Sequence, residues 1–275
     1  MQENNIVTVK NLVKNFDKKK AVNDVSFTIR KGITFGLLGT NGAGKTTIIK
    51  ILTGQLLKTS GEVLVCGMDP AKSIKNLSNR IGIVTDNVSL YVDETVAKNL
   101  TFFSKLYGVK SKRVSEVIEM LGLNDFKNVK VKKLSKGYKQ RVLIARSVLH
   151  DPELIIMDEP TSGLDANIAH ELRKVIKDLE GQGKTILLTT HDMDEAEDLC
   201  KELLIIKDGN VVVNSSLADL QNSAVEKYVE VVTVNGSFKF KIDDLNKICQ
   251  IPKESIISIH TNQYTLKEAF MMYTK

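Results

Sequence analysis

Gly39-Thr40-Asn41-Gly42-Ala43-Gly44-Lys45-Thr46-Thr47 follows directly on the short apolar run of residues 35–38. The string fits the pattern G-x-x-x-x-G-K-[ST] of a phosphate-cradling loop. Its glycines let the backbone curl so that N–H groups point inward at phosphate oxygens. Residues 47–53 then read as a helix, with Ile48, Ile51 and Leu52 on one face and Gly54 available to end it. A helix begun here aims its positive dipole end at the same oxygens. Lys45 is placed to reach the β- and γ-phosphates, and the Thr46 hydroxyl to ligate Mg²⁺. The competing reading is a chance glycine-rich turn, which would not need a strand before it and a helix after it.

Two further apolar runs end in polar chemistry. Residues 154–157 stop at Asp158-Glu159, and residues 185–188 stop at Thr189-Thr190-His191. Runs apolar on both faces suit a parallel sheet covered by helices on both sides. Ligands of such sheets gather at the C-terminal strand ends. A hydroxyl-Mg²⁺ site needs a carboxylate nearby, acting through water because Mg²⁺ keeps several waters. Asp158 fits that need, and Glu159 is placed to act as general base on an attacking water. Taken alone, the two acids would also suit the surface of a strand end.

Elsewhere residues 6–12 and 25–29 read as strands, the second with Val25, Phe27 and Ile29 alternating with Ser26 and Thr28. Residues 95–150 read as mostly helical. Val96, Leu100, Phe103 and Leu106–Tyr107 give one apolar stripe, and Val114, Val117, Ile118 and Leu121 another. Residues 203–206 and 211–213 flank Lys207-Asp208-Gly209-Asn210, a hairpin signal. Residues 228–234 alternate, turn at Asn235-Gly236 and resume to residue 242. A last helix is expected from Thr265, with Glu268 completing a capping box. Residues from about 216 onward thus read as a small α/β appendage.

The bulk properties narrow the class. The 275 residues are 42% apolar and 26% charged, with a net charge of +6. That is an ordinary globular composition, and the scattered lysines give the charge little meaning. The densest basic stretch, residues 127–141, suits a solvated face. Cys66, Cys200 and Cys249 form no metal-type pair, and an odd count without a secretion signal suggests a reducing compartment. No apolar run approaches the roughly 18–20 residues that span a bilayer. Any membrane role would come through a partner.

The remaining motifs carry a family resemblance. Leu134-Ser135-Lys136-Gly137-Tyr138-Lys139-Gln140-Arg141 resembles the signature of ATP-binding-cassette (ABC) proteins, usually written LSGGQ. Ser162-Gly163-Leu164-Asp165 resembles the family's D-loop, and His191 sits where its switch histidine does. With the phosphate loop and Asp158-Glu159 in the same order, the resemblance covers roughly residues 6–215. It implies an α/β fold: a P-loop NTPase core with a mainly parallel sheet, an antiparallel β subdomain and a helical arm at about 87–150. Residues 1–215 would form the nucleotide-binding domain and 216–275 a small accessory domain.

The same resemblance implies an ATPase using ATP and Mg²⁺, with no other metal and no nucleic acid. Two such chains, or a pair of cassettes, would sandwich nucleotides head to tail. Each site would combine the phosphate loop of residues 39–47 (Gly39, Thr40, Asn41, Gly42, Ala43, Gly44, Lys45, Thr46 and Thr47) with the other subunit's Ser135, Gly137 and Gln140. Asp165 would communicate across the dimer. His191 would contact the γ-phosphate and hold the water with Glu159. Phe16 falls where the family stacks an aromatic on adenine, although a core phenylalanine is the competing reading.

Departures accompany the match. Lys136 and Tyr138 replace residues of the usual signature. Residues 80–87 resemble the Q-loop, but Asp86 stands where glutamine is expected; it is shorter and charged, yet still an oxygen ligand for Mg²⁺. A separate polytopic membrane subunit would dock near residues 86–103, with at least one of Leu90 and Tyr91 as a coupling contact; the competing reading is that these apolar side chains pack under their own loop. The chain would then lie at the cytoplasmic face of the membrane. The ending Thr265-Leu266-Lys267-Glu268-Ala269-Phe270 loosely resembles ATPases of two-gene bacterial exporters for drugs, bacteriocin immunity or sodium. The rival role is a soluble ABC ATPase of a non-transport process, against which stand the single cassette and the lack of sustained heptads or CxxC pairs.

Overall fold

The computed structural model describes residues 4–17, 19–85, 90–223, 228–262 and 266–274. Contacts divide the chain into two units, Met1–Asn214 and Ser215–Lys275.

The first unit opens with β1 (Asn5–Phe16) and β2 (Lys19–Arg30), an antiparallel pair. The chain continues through β3 (Thr34–Gly39) and α1 (Lys45–Leu52) to β4 (Ser60–Val65). β4 pairs antiparallel with the other edge of β1, giving a three-stranded sheet β2-β1-β4. Alternation along these strands buries Val7, Val9, Val25, Phe27 and Ile29 on one side. Ile48 and Leu52 of α1 join that core. The helix predicted from residue 47 is thus present, ending at a Thr53 cap with Gly54 in the left-handed region at φ 75°.

Next come α2 (Ile74–Leu77), β5 (Ile81–Val84), and the helices α3 (Val96–Leu106), α4 (Ser111–Met120) and α5 (Lys136–Val148). The three helices pack on one another as an arm. Thr95 caps α3 by accepting from Lys98 N at 3.2 Å. Val96, Leu100 and Phe103 are buried along its inner stripe, as are Val114, Val117, Ile118 and Leu121 on the second. Leu106 departs from the expectation: it is 69% exposed. Helical spacing explains this, since the stripe through 96, 100 and 103 continues at Tyr107, and residue 106 points about 80° away.

β6 (Leu154–Asp158), α6 (Ala166–Gly181), β7 (Thr185–Thr190), α7 (Met193–Leu199), β8 (Glu202–Lys207) and β9 (Asn210–Ser216) complete the main sheet. Its order is β5-β6-β7-β3-β8-β9, and the pairs from β5 to β8 are parallel. Every residue of β3 and β7 is buried, which is why neither strand shows the polar alternation of a half-exposed one. Asp208 and Gly209, at φ 49° and 78°, make the tight turn into β9. The strand order sets the C-terminal ends of β6, β7 and β3 side by side. The phosphate loop, Asp158-Glu159 and His191 therefore emerge at one edge.

The second unit holds α8 (Leu217–Ser223), β10 (Tyr228–Thr233), β11 (Gly236–Lys241), β12 (Ile256–Asn262) and α9 (Leu266–Thr274). The antiparallel sheet is ordered β11-β10-β12, with Val229 and Val231 buried in its central strand. Its hairpin turns one residue earlier than expected, at Val234 and Asn235, and Gly236 already pairs with Thr233. The Thr233 hydroxyl accounts for the shift: it accepts from Asn235 N at 3.2 Å and donates to Gly236 O at 2.9 Å. Thr265, the expected start of the last helix, lies outside the described residues.

Candidate active site

The phosphate loop leaves β3 at Gly39 and enters α1 at Lys45. Ala43 N donates to Thr40 O at 3.1 Å, tightening the curl, and Ile48 N donates to Gly44 O as the helix starts. Gly44 has φ 113°, and a Cβ there would lie 2.6 Å from Ala21 O of β2. Only glycine satisfies both the torsion and the close approach. A cavity of about 300 Å³ opens beside the loop, walled by residues 41–47 with Phe16 and Lys19 at one side and Glu159 at another.

Phe16 closes β1 and is 46% exposed, so it is not a core phenylalanine. The Lys14 ammonium lies 4.8 Å from its ring centroid. Lys45 is only 6% exposed. Its ammonium donates to Gly39 O at 2.7 Å and Thr40 O at 3.3 Å. Burial pulls its pKa below the usual lysine value, while the nearby Glu159 and Asp158 carboxylates act in the opposite sense.

Asp158 ends β6 between two hydroxyls. Thr46 Oγ1 donates towards its Oδ2 at 3.5 Å, and Thr189 Oγ1 donates in a short bond to its Oδ1. Glu159 follows with a left-handed backbone, φ 48°. Its N–H donates to both the carbonyl and the hydroxyl of Thr189, each at 3.1 Å. These bonds hold the unusual torsion, and such strain gathers at functional sites. The Glu159 carboxylate lies 3.2 Å from His191 Nδ1. A second cavity of about 380 Å³, walled by Thr161, Ser162 and His191 among others, opens against the same carboxylate.

Other candidates lie away from the phosphate cavity. Ser135, Gly137, Gln140 and Asp165 do not line it. Ser135 is exposed and caps α5, accepting from Tyr138 N at 3.4 Å. Gly137 is buried against α6, Gln140 is half-buried, and Asp165 caps α6 by accepting from Ile168 N at 3.0 Å. Asp86 lies outside the described residues. Leu90 is half-buried, whereas Tyr91 is largely exposed.

Thr189 was assigned no role from sequence, yet it holds both carboxylate residues. The only available signal was its place at a strand end beside His191; its partners depend on β6 and β7 being neighbours, with Asp158 opposite Thr189. Lys19, on the cavity wall, carried no motif at all.

The profile of a family described as ABC transporter matches residues 22–162. The chain belongs to the ABC transporter family. YhcH of Bacillus subtilis, an uncharacterized ABC transporter ATP-binding protein, is 34% identical over 266 residues, 96% of this chain and 84% of that protein. The Nod factor export ATP-binding protein I of Ralstonia nicotianae is 37% identical over 219 residues, covering 78% and 68% respectively. Among solved structures, cbiO1 from Clostridium perfringens, part of the ABC transporter complex cbiONQ, superposes with a TM-score of 0.74 at 29% identity. That match covers 81% of this ABC chain and 92% of cbiO1. The P-loop core, parallel sheet and antiparallel strands are those of an ABC cassette. This ABC chain is an ATP-binding ATPase subunit. Among the described residues, no helix is long and apolar enough to cross a membrane.

Proposed function

We propose that this cassette hydrolyses Mg²⁺-bound ATP between its phosphate loop and the Glu159–His191 pair, and so powers export through a separate membrane-spanning subunit. The observation that carries this reading is the meeting of Lys45, Thr46, Asp158, Glu159 and His191 at three adjacent strand ends. Thr46 and Asp158 offer hydroxyl and carboxylate oxygens, a donor set that suits Mg²⁺. They would hold the cation, with Asp86 as a further candidate ligand. When bound, the metal neutralises phosphate charge.

The chain's own residues do the rest. Residues 39–44 present N–H groups to the phosphates, with Thr47 behind them in α1. Lys45 supplies a buried positive charge, and Phe16 offers a ring face to the base. Glu159 accepts the proton of the attacking water, and His191 fixes the carboxylate that does so.

Two copies, or this chain and another cassette, would pair across the nucleotides. Ser135, with Gly137 and Gln140 in the same turn of α5, would face the other subunit's phosphates, which a helix N-terminus favours. Asp165 would lie at the seam between the sites. Their separation from the chain's own phosphate cavity supports this arrangement. Residues 1–215 would act as the nucleotide-binding domain and 216–275 as an accessory domain.

Leu90 and Tyr91 would meet the membrane subunit, holding the cassette at the cytoplasmic face. The export direction is supported by the Nod factor export relative. The test is steady-state ATP hydrolysis by the purified chain, with and without chelator. Glu159→Gln should cut turnover by about 10² to 10⁴, the usual contribution of a positioned base, while ATP binding survives. Wild-type-like hydrolysis by that variant would overturn the assignment, and copurification from detergent tests the membrane partner.

A further inference from the structure

Lys136 is the first residue of α5, immediately after the Ser135 cap. Its ammonium donates a 2.7 Å hydrogen bond to Ser162 O, in the loop between β6 and α6. The next residue, Gly163, has φ 65°, and a Cβ there would lie 2.5 Å from Lys136 Nζ. The ammonium therefore fills a place that a glycine leaves open. Two more contacts join the same helices. A Cβ on Gly137 would lie 2.2 Å from Ile168 Cγ2, so α5 sits hard against the first turn of α6. One turn on, Arg141 pairs with Glu171 at 2.6 Å.

Ser162 is held from both sides. Its carbonyl accepts from Lys136, and its N–H donates to Glu159 O at 3.1 Å. One residue thus links the start of α5 to the residue that carries the candidate base. Leu164 N donates to Thr161 O at 3.1 Å, and Thr161 Oγ1 donates to Glu195 at 2.8 Å, which stiffens the rest of that loop. The Glu159 backbone is itself in the left-handed region, so a slack loop would let its carboxylate drift from His191.

We propose that Lys136 is a positioning residue for hydrolysis: through Ser162 it sets the Glu159 carboxylate relative to the start of α5. This rests on the site reading given above. On that reading α5 faces the other subunit's nucleotide, so Lys136 ties the state of one site to the base of the other. The residue touches no reacting atom and acts through a backbone carbonyl. What it needs is a cationic or multi-proton donor on a long side chain.

The test uses the purified full chain as wild type, Lys136→Met, Lys136→Arg and Glu159→Gln. It measures kcat and KM for ATP, ATP affinity by calorimetry, and melting temperature. A misplacement of about 1 Å can cost roughly 10²-fold in rate, and a partial shift through one backbone carbonyl should cost less. Lys136→Met should therefore lower kcat about tenfold, with ATP affinity and melting temperature unchanged. Lys136→Arg, which keeps a long cationic donor, should recover most of the loss.

The inference is overturned by wild-type kcat in Lys136→Met. It is equally overturned by weakened ATP affinity at unchanged kcat, which would make Lys136 a nucleotide contact. A parallel fall in kcat and melting temperature that arginine does not restore would make the residue structural and also ends it. Glu159→Gln separates the two levels. An inactive Glu159→Gln beside a fully active Lys136→Met leaves the site standing and removes only this inference. A Glu159→Gln as active as wild type removes the site reading itself.

Discussion

His191 Nδ1 lies 3.2 Å from Glu159 Oε1, joining the residue after β7 to the residue after β6. The contact depends on strand pairing: Asp158 is opposite Thr189, so Glu159 leaves β6 beside the end of β7, one residue before His191 leaves it. Thr189 holds the Glu159 amide, and His191 meets the Glu159 carboxylate. His191→Ala should therefore leave the fold and ATP binding intact but lower turnover by roughly 10²-fold or more, within the range of a positioned acid–base partner. Single-turnover hydrolysis beside a nucleotide-binding curve checks this. Weakened binding at full turnover would make the histidine a ligand contact instead.

Lys45 answers a different question, because its charge is buried and already hydrogen-bonded to Gly39 O and Thr40 O. A charge-assisted contact to phosphate is worth about 1.5–3 kcal/mol. Lys45→Ala should weaken ATP binding by roughly 10- to 150-fold in calorimetry. Lys45→Arg should restore little, since a planar guanidinium does not fit where a compact ammonium meets two loop carbonyls. Unchanged ATP affinity in the alanine variant would count against the cradle.

Glu195 supplies a pH test. It is 1% exposed and accepts from Thr161 Oγ1 at 2.8 Å. Burial pushes its carboxyl above the ordinary range, against the hydrogen bonds from Thr190 and Thr161. A pKa raised by folding gives stability that is intact below the unfolded value, about 4.3 for glutamate, and is lost as pH climbs through the folded one. Glu195→Gln removes that titration and keeps an acceptor for Thr161. Its melting temperature relative to wild type should therefore rise as pH increases from about 5 to about 8. A difference that is flat or shrinks with pH would show that the carboxyl is not buried in this way.

The phosphate loop was legible because its chemistry is local: nine consecutive residues hold the curl, the lysine and the helix start. The apolar runs at 154–157 and 185–188 were legible because a strand buried on both faces lacks the polar alternation of a half-exposed one, and its few polar residues, such as Thr185, are small and buried. What escaped depended on which residues the fold makes neighbours in space. The role of Thr189 follows from β6 and β7 lying side by side, which no local pattern states. Asn99, a polar residue within an apolar helix stripe, is buried because it clamps Tyr91, accepting from its N–H at 2.8 Å and donating to its carbonyl at 3.0 Å. Lys136 is a departure from the signature whose bond to Ser162 O joins residues 26 apart in sequence, so no local pattern carries it. Asp86 stays an expectation, since it lies outside the described residues.

The Asn99 clamp bears on the last expectation. It fixes the backbone of Tyr91 and leaves the side chain 51% exposed. The Tyr91 ring meets Phe102 edge-on at 5.0 Å and stacks over Phe103 at 6.1 Å. Val92, Phe102 and Leu106 are also exposed, so the arm carries an apolar patch around this ring. Exposed patches of this kind mark interaction sites. The aromatic contacts are worth only about 0.5–1.5 kcal/mol each, so a substitution at Tyr91 should not unfold the chain while Asn99 still holds the backbone. Tyr91→Glu would place a charge in the patch that a membrane subunit would have to desolvate. It should retain the wild-type melting temperature to within a few degrees and bind ATP normally. Copurification with the membrane-spanning partner from detergent extracts should fall sharply. Loss of folding in Tyr91→Glu would make the ring a core element, and undiminished copurification would remove Tyr91 from the interface.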